Sequence, residues 1–246
     1  MKLAATAAAL LLSAAAAQAA DLPIQPAPAP ALPTPFTWTG FYVGAHGGYG
    51  WSDTDWRLID NAGAGACGQC GTVVTRFDVD GGLAGVQAGY NWQMANGIVL
   101  GVEADLSFSW ADGEGRWNAQ GGVANRSASV DLDFVGTVGP RLGYAMDRVL
   151  LYVEGGLALV GGDYEHRNLD NGNVFSTDET RTGWFLGGGA EYAFADAWSA
   201  KIEYNYISLG DESLDLGGVG GGAPGVAVFD VEQDLHLVKA GVNYRF

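Results

Sequence analysis

The stretch GIVLGVEADLSFSW, residues 97–110, alternates without a break. Ile98, Leu100, Val102, Ala104, Leu106, Phe108 and Trp110 fall on one face of an extended strand, and Val99, Gly101, Glu103, Asp105, Ser107 and Ser109 on the other. A helix would scatter both sets around its axis. Period two therefore makes this a strand with an apolar face and a polar, acidic one.

The same reading extends in both directions. Upstream, WTGFYVGAHGGYGW (38–51) sets Phe41, Val43, Ala45, Tyr49 and Trp51 against Tyr42, Gly44, His46, Gly48 and Gly50. A second segment sets Ala84, Val86, Ala88, Tyr90 and Trp92 against Gly85, Gln87, Gly89 and Asn91. Downstream, Leu132, Phe134, Val138, Leu142 and Tyr144 oppose Asp131, Asp133, Thr137 and Arg141, and Leu151, Val153, Leu157 and Leu159 oppose Tyr152 and Glu154. Trp184, Leu186, Ala190, Tyr192 and Phe194 oppose Phe185, Gly187, Gly189 and Glu191. Trp198, Ala200, Ile202, Tyr204 and Tyr206 oppose Ser199, Lys201, Glu203 and Asn205. The last segment, HLVKAGVNYRF (236–246), sets Val238, Ala240, Val242, Tyr244 and Phe246 against Leu237, Lys239, Gly241, Asn243 and Arg245.

Connections alternate in length. Short turns at 93–97, 145–148 and 195–197 follow the second, fourth and sixth segments, and long Gly-, Asp- and Ser-rich loops follow the odd ones. The fold expected is all-β, an eight-stranded antiparallel up-and-down transmembrane β-barrel with one tidy end and one elaborate end. A soluble barrel would turn its apolar face inward around a ligand. Here Trp38, Phe41, Tyr90, Trp92, Tyr144, Tyr192, Phe194, Trp198, Tyr244 and Phe246 gather at the short-turn end, and Tyr49, Trp51, Phe108, Trp110, Trp184, Tyr204 and Tyr206 at the long-loop end. Two aromatic girdles around an aliphatic band place the apolar face against lipid.

The polar face then lines a lumen that eight strands leave just wide enough for side chains to fill. Glu103, Asp105, Asp131, Asp133, Glu154, Glu191 and Glu203 against Arg141, Lys201, Lys239 and Arg245 predict a charged, hydrogen-bonded plug with acid in excess.

The chain has 39 glycines and a formal net charge of -16, which argues against a nucleic-acid partner because phosphate binding needs a basic footprint. Residues 1–20, with Lys2, an apolar run and Ala17-Gln18-Ala19, have the pattern of a secretory signal peptide. Residues 21–36, rich in proline, read as a linker, and 37–246 as the barrel. In an exported protein the CGQC stretch reads as a loop disulfide, Cys67 to Cys70. The surroundings of a thioredoxin site and the further ligands of a zinc site are missing.

WTGFYVG, the eight alternating segments and the terminal VNYRF resemble the small alphaproteobacterial barrels called immunogenic outer-membrane proteins, within the wider opacity-type and OmpA-like class; the likeness covers about residues 36–246. The resemblance implies an outer-membrane location among lipid and lipopolysaccharide, and insertion by the barrel-assembly machinery. It also implies a role in envelope integrity, surface interaction or minor pore activity. It makes Tyr244 and Phe246 an assembly signal, and implies neither cofactor nor catalytic residue. The chain stops at the barrel, so no peptidoglycan-binding domain is expected.

The three histidines are the candidates for hidden chemistry. His46 shares the lumen face, and His166 falls in the third long loop, where it is expected to be solvated. His236 and Ser208 share the lipid face near the outer ends of the last two segments, with Asp211, Glu212 or Asp234 available to orient an imidazole. That makes a lipid-modifying enzyme the remote alternative to a structural barrel, behind a narrow pore. The NLDNGN stretch (168–173) lacks the spacing of a calcium loop, and GGVGGGAP (217–224) lacks the context of a phosphate cradle.

Overall fold

The computed structural model describes residues 36–61, 70–118, 125–170, 172–215 and 227–246. The signal peptide, residues 21–35 of the linker and Cys67 lie outside the described residues.

Eight strands follow in chain order: β1 (Gly40–Asn61), β2 (Thr72–Gln93), β3 (Ile98–Trp117), β4 (Arg126–Met146), β5 (Val149–Asn168), β6 (Val174–Ala193), β7 (Trp198–Asp215) and β8 (Ala227–Arg245). Each pairs antiparallel with its chain neighbours, and β1 pairs with β8 to close the barrel. At the turn end Gly97 adopts φ 86° and Asp147 φ 54°, conformations open to glycine and tolerated by aspartate. The closing strand is held to its tip: the Phe246 amide donates to the Phe41 carbonyl at 3.0 Å.

Between the girdles the outward face is aliphatic and exposed, with Val86, Val102, Leu142, Val153, Leu157 and Ile202 among it. In water that would be untenable, and in lipid it is required. Trp38 is a correction to the periplasmic girdle. It is 2% exposed, donating from Nε1 to the Asp147 carbonyl at 3.1 Å, so it closes the mouth of the barrel from inside.

The strands run far beyond the outer girdle. A strand of 18 to 22 residues is roughly 60 to 75 Å long, against an apolar band about 25 Å tall even after tilting. Much of the sequence expected to form long loops is strand here. In this outer extension the pattern inverts. Trp56, Phe77, Val79, Ala111, Leu132, Val160 and Phe229 are buried inside, while Asp53, Asp78, Asp112 and Asp163 face out. On β1, β2, β3, β5 and β8 the parity is unchanged, but water has replaced lipid outside, so the apolar residues change sides; on β4 a bulge also shifts the alternation.

Candidate functional site

The lumen inside the membrane band is filled by ion pairs. Arg141 on β4 sits at the centre, with Nη1 3.3 Å from Glu103 Oε2 and Nη2 2.9 Å from Glu191 Oε2. Its guanidinium lies 3.3 Å from the centre of the Tyr152 ring. Lys201 Nζ bridges Glu103 Oε1 at 2.6 Å and Glu203 Oε2 at 2.9 Å. Lys239 Nζ bridges Asp105 Oδ2 at 3.1 Å and Glu203 Oε1 at 3.0 Å.

Neutral groups take up the remaining acceptors. Tyr42 donates to Glu103 at 2.5 Å and Tyr152 to Glu203 at 2.7 Å. Ser199 and Asn243 both donate to Glu191 Oε1, at 2.5 and 2.9 Å. His46 contacts Gln87 Oε1 at 2.7 Å and Ser107 Oγ at 2.9 Å, with Asp105 3.3 Å away. Glycines make the room: a Cβ at Gly89 would lie 2.3 Å from the Tyr42 hydroxyl, and one at Gly187 1.7 Å from Asn205 Oδ1.

Glu154 lies in the same layer, its carboxylate within 4.8 Å of those of Glu103 and Glu203. Arg141 pairs with Glu103, and Lys201 with both Glu103 and Glu203, whereas Glu154 has no ion pair among the described residues. The layer lies between two buried apolar clusters. Trp38, Val99, Leu150 and Ala193 pack at the periplasmic mouth, and the apolar core of the extension lies above.

Three expected members of the plug are elsewhere. Asp131 and Asp133 face outward, because bulges at Phe108/Ala111 and Leu132/Phe134 shift the alternation of β4 and turn Leu132 into the core. Arg245 is half-buried at the periplasmic rim, over the Phe36 ring at 4.4 Å and donating to the Asp196 carbonyl at 2.5 Å. Cys70 is described but Cys67 is not, so the expected bridge falls outside the described residues.

His166 is not in a solvated loop. It is buried on β5 in the extension, ringed by Trp117 at 5.4 Å, Phe229 at 5.6 Å and Phe175 at 6.2 Å. Burial, with the nearby Arg126 cation, pushes its pKa down to about 4. Neither the Trp56–Trp117–Phe229 core nor Arg181, which donates to the Gly210 and Val231 carbonyls, was anticipated. The signal was present in β2, where Phe77 and Val79 share parity with the lumen residues Gln87 and Asn91.

On the outside, just above the girdle, aspartates stand opposite one another across strands. Asp80 faces Asp112, Asp112 faces Asp131, Asp131 faces Asp163 and Asp163 faces Asp178; on the other side Asp53 faces both Asp78 and Asp234. A hydrogen bond with Asp178, burial and the neighbouring negative charges raise the Asp163 pKa to about 6.

His236 sits at the outer girdle, stacked on Trp51 at 5.5 Å, with Nδ1 2.7 Å from the Tyr204 hydroxyl. It pairs across β7 with Tyr206, whereas Ser208 stands opposite Asp234. The imidazole is engaged by tyrosine, and the serine lies one alternation away from the position a nucleophile–base pair needs.

A chain of this geometry has known relatives. Residues 5–246 match the outer membrane protein beta-barrel domain family. The chain is 35% identical to the 31 kDa outer-membrane immunogenic protein of Brucella melitensis, over all of both chains. It is 30% identical to the 22 kDa outer membrane protein of Rhizobium leguminosarum, covering 93% of this chain and 83% of that one. Among solved structures, the outer membrane protein OprG of Pseudomonas aeruginosa superposes with a TM-score of 0.56 at 14% identity, over 86% of this chain and 98% of that one. The Escherichia coli outer membrane protease OmpT gives the same score at 10% identity, so this architecture can also carry an enzyme. Fold, girdles and relatives agree: the chain belongs to the outer membrane protein β-barrel family and resides in the cell outer membrane.

Proposed function

We propose that the protein is a non-conducting surface barrel that contributes to envelope integrity and presents its outer extension to the surroundings. The observation that carries this reading is the filled lumen. Arg141, Lys201 and Lys239 lock four buried carboxylates, Glu103, Asp105, Glu191 and Glu203, into one layer, with packed apolar side chains above and below. Solutes would have to break several buried ion pairs to pass, each costly to separate in a low-dielectric interior.

Lipid and lipopolysaccharide are its surroundings at the band, and the barrel-assembly machinery is its partner on the way there. Tyr244 and Phe246, stacked edge to face at 5.2 Å on the last strand, are the residues that machinery would read. A catalytic reading has less support, because His236 is committed to Tyr204 and its stacked rings.

Planar-bilayer recording of the purified barrel tests the proposal. The expected record is a closed baseline with leak alone. Steady single-channel openings would overturn it in favour of a narrow pore.

A further inference from the structure

Among the described residues, the barrel wall parts between β6 and β7 above the outer girdle. β6 and β7 pair from Ala193 opposite Ser199 to Trp184 opposite Ser208, and among the described residues the pairing goes no further. Their other neighbours continue, since β5 follows β6 to Arg167 opposite Val174 and β8 follows β7 to Asp215 opposite Val228. A bulge at Ser208/Asp211, with Gly210 at φ 66°, accompanies the departure of β7 from β6 at this height. The Arg181 guanidinium ties the base of the split, donating to the Gly210 and Val231 carbonyls at 2.8 Å each. Beyond it β6 presents a row of backbone groups with no strand opposite among the described residues, the feature that invites another chain to pair.

The outward charge beside Asp178 is acidic, since Arg181 is buried inside and Arg167, opposite Val174, is paired with Glu165. The aspartate ladder that begins at Asp80 ends on β6 at Asp178, and none of its five members has a Lys or Arg partner among the described residues. Like charges directly opposite one another are unfavourable, and the next position in the ladder is the vacant one. The raised Asp163 pKa reports the same crowding. Because the edge begins at Trp184, it lies on the aqueous side of the interface and not in hydrocarbon. A second copy pairing β6 against β6 about its middle would set Asp178 opposite Glu179, adding to the repulsion.

We propose that residues 174–183 of β6 are an acceptor edge for an extended cationic polypeptide, which adds to the wall as a further strand and sets a Lys or Arg opposite Asp178. Backbone pairing supplies binding along the edge, and the ladder supplies selection for basic side chains at alternate positions. This deepens the surface-interaction part of the function proposed above and rests on it. A conducting record in planar bilayers would overturn the closed lumen without touching the experiment that follows.

The test uses the full barrel in phosphatidylcholine nanodiscs and a decapeptide of alternating Lys and Thr, with the same peptide N-methylated at every amide as its comparison. Binding is expected together with slowed amide exchange in residues 174–183, and both should be lost with the methylated peptide. Asp178→Lys should weaken binding by about tenfold. Should that variant fail to assemble, Asp178→Asn supplies the comparison with a smaller loss. No binding, equal binding of the methylated peptide, protection confined to other strands, or wild-type affinity in the folded variant would each overturn the proposal. So would amides at 174–183 that are already protected in the free barrel, which would mean that this chain's own segment or a second copy covers the edge.

Discussion

The membrane half of this barrel and its outer extension are built on the same strands with the same period of two, yet they are inside out relative to each other. In the membrane, Val153 and Leu157 face out while Tyr152 and Glu154 are buried; twelve residues further along β5, His166 is buried on that same inner side and Arg167 is exposed. The backbone does not change between them, so the solvent decides which parity is apolar. Ion pairs in the interior are a consequence of the first environment and an aromatic core a consequence of the second.

The largest effect should come from breaking the interior of the membrane half. Arg141→Met leaves Glu191 buried without its cation and Glu103 with Lys201 alone, and should cost about 3 to 5 kcal/mol in urea unfolding of the refolded barrel. Arg76→Met, which removes the exposed partner of Asp55 in the extension, should cost under about 1 kcal/mol. Equal losses would mean that the two environments do not differ as described.

Next in size is one substitution placed twice on the outward face. Val153→Arg, in the band, should cost about 2 to 4 kcal/mol. Asp163→Arg, on the same strand and face but above the girdle, should be neutral or stabilising, because it relieves Asp131 and Asp178.

Acid should separate the regions further. His166 has a folded pKa of about 4 against an ordinary 6.5, so the unfolded chain binds the proton more readily. Its contribution is present above pH 6.5 and is lost as pH falls towards 4, by roughly 3 kcal/mol at most. His166→Phe should flatten that acid loss in unfolding scans. The smallest effect opposes it. Asp163 has a folded pKa of about 6 against 3.8, so the folded barrel holds this proton and gains stability as pH falls from 6 to 4. Asp163→Asn should therefore raise stability slightly at neutral pH, by under about 1 kcal/mol. A loss of stability at pH 7 would show that the ladder is not repulsive.

The eight strands, their order, the short turns and most of the plug were legible in the sequence because residues 84–110 and 184–206 keep one parity against one solvent. The reading faltered where one of those conditions lapsed. Asp131 and Asp133 were given to the lumen because a bulge in β4 leaves no mark in composition. His166 was given to a loop because polar residues facing water on a strand look like loop residues until their buried partners, such as Tyr164 and Val160, are read as a second apolar set. Trp38 counted as a girdle residue because its parity alone does not reveal a side chain folded over the barrel mouth. The split between β6 and β7 depends on register above Ser208, which periodicity does not encode.

The inversion can be measured directly with single spin labels along β5, scored for access to oxygen dissolved in lipid and to a nickel chelate dissolved in water. The account predicts that labels at Val153 and Leu157 meet oxygen, that labels at Asp163 and Arg167 on the same face meet the chelate, and that labels at Ala158 and Val160 meet neither. Oxygen access continuing to Arg167, or chelate access at Val160, would contradict it.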